Sequence, residues 1–253
     1  MPSFWVEKED VEADQLVLRG DEAHHLYRVR RQQVGDIIDV VDGEGHFFRV
    51  RLAEIGRSEV VGDIVERCQE RGERDVRLLL APALLKGQRF DGIVEKATEV
   101  GVVAIWPIYT ERGIARGKSE SKIDRWQRLA RAATKQCSRS RCPELLVPEA
   151  FDRVVERLLS ECDAVFMGAL GGQMLSLLSL DICDEAKTIG LLIGPEGGFS
   201  PAEISRAQDM GVCCFSWGAS TLRADTASVV LAALLLNECE RRAAHGQRGD
   251  HGN

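Results

Sequence analysis

Two stretches of the chain hold residues whose types and spacing suit chemistry. The first runs Ile193-Gly194-Pro195-Glu196-Gly197-Gly198-Phe199-Ser200, directly after Leu191-Leu192, and the second is Leu222-Arg223-Ala224-Asp225-Thr226-Ala227. The first reads as a buried strand that ends in a glycine-rich loop and enters a helix. Gly197 and Gly198 lack a Cβ, so the backbone there can turn sharply and approach a ligand closely. Ser200, Pro201 and Glu203 fit an N-cap, a first helical residue and a capping-box glutamate. Strand-loop-helix junctions of this kind hold nucleotide-like ligands in α/β proteins. The plain alternative is a tight turn. The loop lacks the GxxxxGK[ST] of a P-loop and the GxGxxG of a dinucleotide fold, so neither ATP nor NAD is favoured. In the second stretch Asp225 or Thr226 fits an N-cap. Arg223, just outside a strand end, could meet an anionic oxygen.

The formal net charge is −7 over 253 residues, yet ten basic residues lie between Arg112 and Arg141 with only Glu120 and Asp124 among them. A basic strip on an acidic protein is an electrostatic footprint for a polyanion. Ile123, Trp126, Ala130 and Ala133 recur at helical spacing on one side of this segment, and Arg125, Arg128, Arg131 and Lys135 on the other. The strip continues through Arg139 and Arg141, which favours RNA phosphate over a merely solvated helix. His24 and His25 precede Arg28, Arg30 and Arg31 and read as a second RNA-facing segment. Eight cysteines without a CxxC pair, and histidines that do not cluster with them, argue against a metal site. The cysteines are expected as free thiols in a reducing cytoplasm. The N-terminus lacks the pattern of a signal peptide, and the longest apolar runs, such as Val229 to Leu236, are too short to span a bilayer.

These residues need elements to position them. The first seventy residues read as β: strands at Gln15–Leu18 and Asp36–Val41, a turn at Asp42-Gly43-Glu44-Gly45, then strands at His46–Ile55 and Ser58–Glu66. They suggest a small barrel. Arg67 to Asp75 is polar and reads as a linker. Beyond it, strands are expected at Val76–Ala81, Val102–Ile108, Ala164–Leu170, Lys187–Ile193 and Val212–Trp217. Helices are expected at Arg89–Val100, Ser121–Ser138, Pro201–Met210 and Thr226–Arg242, with a frayed tail from His245. The alternation implies a mostly parallel sheet covered by helices.

The ordered set of motifs resembles the RsmE family of bacterial methyltransferases, in the SPOUT superfamily. It comprises Asp21-Glu22-Ala23-His24-His25, Val29, Arg31, Gly35-Asp36, Lys86-Gly87, Glu95 to Gly101, Pro107, Glu111-Arg112, Arg125-Trp126 and the two stretches above. The chain departs from the family pattern at Arg30, at Asp225 and over Ala219-Ser220-Thr221. The resemblance implies a PUA-like β-barrel over residues 1–70 and an α/β trefoil-knot methyltransferase domain over 74–243. It implies methylation of uracil N3 at one uridine of 16S rRNA, 1498 in the usual numbering. S-adenosyl-L-methionine would be held by Leu170, Gly194, Pro195, Glu196, Gly197, Gly198, Trp217, Gly218, Leu222, Thr226 and Ala227. The enzyme would be a cytoplasmic homodimer without a metal. RNA contacts would come from His25, Arg28, Arg31, Arg112, Arg125, Arg128 and Arg139. Loss of the N3 proton spreads negative charge over O2 and O4, which suits a fixed arginine. Arg223 takes that role, with Glu196 as proton acceptor or as orienter of Arg223. Methylation of another RNA, and a non-catalytic RNA binder, stay open on the sequence.

Overall fold

The computed structural model describes residues 2–113, 120–169, 175–176, 186–218 and 220–249. The chain divides into two compact units, Met1–Glu73 with Arg131–Cys142 and Arg74–Ala130 with Pro143–Asn253.

The first unit is built on β1 (Phe4–Trp5), β2 (Gln15–Arg19), α1 (Gly20–His24), β3 (Ile37–Val41), β4 (His46–Ile55) and β5 (Glu59–Gln69). The strands form one sheet in the order β1-β3-β4-β5-β2, antiparallel except for the β1–β3 pair. Alternation along β4 sends Phe48, Val50 and Leu52 into the core with Leu16, Leu18, Val40 and Val60. Phe47 packs on the opposite face with Trp5 and Val41. The sheet is a curled, PUA-like half-barrel, with β1 and β2 unpaired to each other. Full closure is replaced by helix. After β2 the chain forms α1, which continues as a π-helical turn over His25–Arg30 and buries Ala23 and Leu26 in the core.

The expected linker is also partly strand. β5 runs on to Gln69, with Arg67 opposite Phe48 and Cys68 opposite Phe47. The arginines here cover aromatic rings: Arg67 lies 5.5 Å from the Phe48 centroid and Arg71 3.7 Å from that of Phe47. Polar composition therefore reflected cation–π packing as well as solvation.

The second unit comprises β6 (Arg77–Pro82), α2 (Arg89–Val100), β7 (Ala104–Ile105), β8 (Ile108–Tyr109), α3 (Glu120–Cys137, its last turns assigned to the first unit), β9 (Glu144–Leu145), β10 (Glu149–Ala150), α4 (Phe151–Glu161), β11 (Ala164–Gly168), β12 (Leu175–Ser176), β13 (Thr188–Ile193), α5 (Pro201–Asp209), β14 (Cys213–Ser216) and α6 (Ala224–Gly249). Seven strands form a parallel sheet in the order β12-β14-β11-β13-β6-β7-β9. Helices cover both faces, so the central strands are apolar on both sides. α4 and α5 pack Phe151, Val154, Val155, Leu158 and Ala207 against Leu79, Ala81, Val165, Met167 and Leu192. α6 packs on β6, β13 and α2. The connection from β13 through α5 to β14 passes β11, so the sheet order reverses there. The carboxyl ends of β11, β13 and β14 then border one crevice, as open α/β sheets place their ligand sites.

No helix among the described residues is long and apolar enough to cross a membrane. Among the described residues, Cys68, Cys142, Cys162, Cys213, Cys214 and Cys239 form no disulfide. Burial pushes Cys162 up to about 12 and Cys214 and Cys239 to about 11, which leaves these thiols unreactive.

Candidate active site

β13 ends at Ile193, and at the next residue a side chain would press on the loop backbone. A Cβ on Gly194 would lie 3.0 Å from the Phe199 nitrogen and 3.1 Å from the Gly198 carbonyl carbon. The loop closes with Gly198 N–H donating to the Pro195 carbonyl at 2.8 Å, and Gly198 sits at φ +67°, where glycine is favoured. The expected capping box is present. Ser200 Oγ accepts from Glu203 N–H, Glu203 Oε2 accepts from Ser200 N–H, and Pro201 opens α5. Glu203 is buried, and its other oxygen accepts from Glu111 N–H at 2.8 Å. Beside it, Arg112 donates to the carbonyls of Gly197 (3.0 Å) and Phe199 (3.2 Å). The Glu111 carboxyl is held below its ordinary range by Ser200 and Arg206. The Thr110–Gly113 segment thus clamps the glycine loop from outside, a function no local motif announced.

The arginine turn leaves β14 at Ser216 through exposed Trp217 and Gly218 (φ +144°). α6 begins at Ala224, two residues before the expected start, because the Arg223 carbonyl already accepts the Ala227 N–H at 2.7 Å. Asp225 is therefore a first-turn residue and not the cap, and its Oδ1 accepts from Thr226 N–H. Its charge suits the positive end of the helix dipole, whereas Arg223 at the same end is electrostatically disfavoured. Among the described residues no carboxylate pairs with Arg223.

The two turns meet around a cavity of about 510 Å³. Gly168 and Ala169, Ile193–Glu196, Gly198, Ser216–Gly218, Ser220–Ala224, Ala227 and Leu231 line it. Of the residues expected at a cofactor, it gathers Gly194, Pro195, Glu196, Gly198, Trp217, Gly218, Leu222 and Ala227. Gly197 turns toward Arg112 and Thr226 is exposed outside the lining, so neither faces the cavity. Leu170 lies outside the described residues. Sequence reasoning missed the apolar floor of Ala169, Ile193 and Leu231. It also missed Gly168, where a Cβ would sit 3.0 Å from Leu231 and 3.1 Å from Ile193. A glycine inside an apolar strand was the available signal. Glu196 does not orient Arg223. Its partner is Arg89, at 2.9 Å, from the first turn of α2.

The basic strip is largely neutralised by the chain itself. Arg125 pairs with Asp91 (2.7 Å), Arg131 with Glu7 (2.7 Å), and Lys135 with Glu22. Arg128 donates to the Asp124 carbonyl of its own helix. Arg139 is a correction: it is 2% exposed and bound to buried Glu73 at 2.6 Å, so it cannot reach RNA. Arg112 is committed to the glycine loop. His25, Arg28 and Arg31 are exposed on or just after the π-helical turn, beside exposed Tyr27. No group of three or more potential metal ligands converges among the described residues.

A family model for an RNA methyltransferase domain matches residues 72–236, and one for an RNA methyltransferase PUA domain matches 18–65. The ribosomal RNA small subunit methyltransferase E of Synechocystis sp. is 33% identical over 220 residues, 86% of this chain and 71% of that protein. The chain belongs to the RsmE family of RNA methyltransferases. The family member of Bacillus subtilis is 28% identical over 224 residues, 85% of this chain and 87% of its own. The crystal structure of the RsmE protein of Neisseria gonorrhoeae bound to S-adenosyl methionine superposes with a TM-score of 0.84 at 25% identity, covering 94% of this chain and 98% of that one. A probable rRNA methyltransferase of Porphyromonas gingivalis gives 0.76 at 25% identity, with 96% and 99% covered.

Proposed function

We propose that this RsmE-family chain transfers a methyl group from S-adenosyl-L-methionine to N3 of one uridine of 16S rRNA, within residues 74–243. The observation that carries the reading is the single cavity between the glycine turn and the arginine turn. Its volume falls in the ~300–1,000 Å³ range of small-molecule sites. Its make-up fits the cofactor: an apolar floor of Ala169, Ile193 and Leu231, and two turns whose glycines bring backbone donors and acceptors close. The bound cofactor supplies an electrophilic methyl group on a sulfonium. Gly194, Pro195, Gly198, Trp217, Gly218 and Leu222 hold and orient it.

Arg223 has the position and freedom for the charge-stabilising role. It lies on the cavity wall, fixed at its Cα by the first turn of α6. Its guanidinium stabilises the negative charge left on uracil O2 or O4 when the N3 proton passes to solvent, and N3 then takes the methyl group as the sulfonium becomes a neutral thioether. Holding the base and methyl group in line supplies much of the remaining advantage, ~7–11 kcal/mol in well-aligned systems. Glu196 acts as a positioning residue, tying the loop to α2 through Arg89. The first unit grips RNA through His25, Arg28 and Arg31. A threaded C-terminal segment, a homodimer and a cytoplasmic location complete the proposal.

The test is incubation of the protein with S-adenosyl-L-methionine and unmodified small-subunit rRNA, followed by mass mapping of the product. One N3-methyluridine at the single expected position supports the reading. A methyl group on another base, or transfer only to tRNA or large-subunit rRNA, overturns it.

A further inference from the structure

A second cavity, of about 410 Å³, opens at the same edge of the parallel sheet. β6 and β13 are adjacent and parallel, with Pro82 opposite Ile193, and Ala83 N–H donates to the Ile193 carbonyl at 2.8 Å. Their loops therefore leave the sheet side by side. The β13 loop lines the first cavity, and the β6 loop, Leu84 to Gln88, lines the second. Arg89 joins them: its neighbours Gln88 and Phe90 line the second cavity while its guanidinium holds Glu196 at the first.

The back wall is apolar, made by buried Leu84, Leu85, Phe90 and Trp126, whose two rings lie 4.3 Å apart between centroids. Asp91 is fully engaged, accepting from Trp126 Nε1 at 3.0 Å and pairing with Arg125 at 2.7 Å. Lys86 and Lys122 differ from Arg125, Arg131 and Lys135. Both are exposed on this cavity, and among the described residues neither pairs with a carboxylate. Two free ammonium groups before an apolar wall match a nucleotide, with a phosphate for the lysines and a base or ribose face for the wall.

We infer that this cavity is a subsite for the nucleotide adjoining the methylated uridine, with Lys86 and Lys122 on its phosphate. The inference rests on the rRNA methyltransferase reading of the first cavity and adds a second contact point to it. The experiment compares the full-length protein with the double variant Lys86→Ala/Lys122→Ala, by filter binding to unmodified small-subunit rRNA across a salt series. The lysines are exposed, so the variant should keep the wild-type melting temperature. Expected are an RNA affinity lower by about tenfold and a slope of log affinity against log salt shallower by about 0.7, for one single-strand phosphate contact. The thermal shift with S-adenosyl-L-methionine should be unchanged, and Lys86→Arg/Lys122→Arg should restore affinity. Unchanged affinity and slope overturn the subsite. So does micromolar binding of free uridine monophosphate that the variant loses while its RNA affinity stays intact. Binding is read without turnover, so a failed methylation assay would strike the first cavity's assignment and leave this measurement standing.

Discussion

The strip from Arg125 to Arg141 and the rim formed by Lys86, Lys122 and Arg223 carry the same kind of charge and use it oppositely. In the strip, cations meet carboxylates distant in sequence: Asp91, Glu7, Glu22, Glu73 and Glu70. On the rim, cations face cavities, and among the described residues none of them pairs with a carboxylate. Positive charge in a sequence is thus a footprint for a polyanion only after the chain's own carboxylates have taken their share.

The largest effect belongs to the buried end of the strip. Arg139→Ala leaves Glu73 uncompensated in the interior, and chemical denaturation should find a loss of ~3–5 kcal/mol. The folded fraction should bind RNA with the wild-type salt slope. On the rim, Arg223→Ala should lower kcat by ~10²–10³-fold, the usual effect of one charge-stabilising donor, with little change in affinity for S-adenosyl-L-methionine. Equal losses in both, by turnover assay and calorimetry, would make Arg223 a binding residue.

A smaller effect is expected at Arg131, which pairs with Glu7 at the surface and lies 4.2 Å from the Trp5 ring centroid. Arg131→Ala should cost about 1 kcal/mol of stability or less and leave rRNA affinity near wild type. A large affinity loss would return the strip to the RNA-binding surface.

The smallest effect concerns pH. Arg141 holds the Glu70 carboxyl below its ordinary value of 4.5. A depressed carboxyl stabilises the folded state above its unfolded pKa and loses that contribution as pH falls through its folded one. The melting-temperature gap between wild type and Glu70→Gln should be constant near neutrality and shrink below about pH 4.5.

What the sequence disclosed followed the range of each signal. α2 and β4 are local patterns, and both occupy their expected residues, Arg89–Val100 and His46–Ile55. The Ser200 capping box is equally local. α4 was overlooked although Phe151, Val154, Val155 and Leu158 repeat at helical spacing. The expected single strand over Val102–Ile108 is two short ones, Ala104–Ile105 and Ile108–Tyr109, interrupted at Trp106-Pro107, where proline cannot donate to a ladder. At the site, the two turns were legible because glycines and charged residues mark them. The floor of the cavity was not, because Ala169, Ile193 and Leu231 look like any other core residues until the sheet order brings them together. The burial of Arg139 could not be read either, since its partner Glu73 lies 66 residues away.

Glu203 ties together two distant stretches of backbone. One carboxylate receives the amide of Ser200, beside the glycine loop, and the amide of Glu111, 92 residues away in the chain. Oε2 takes the Ser200 amide and Oε1 the Glu111 amide, so any turn of the carboxylate that frees one amide strains the other. The two segments consequently behave as one cooperative opening unit in hydrogen exchange, and the glycine loop at the cavity opens together with its outer brace.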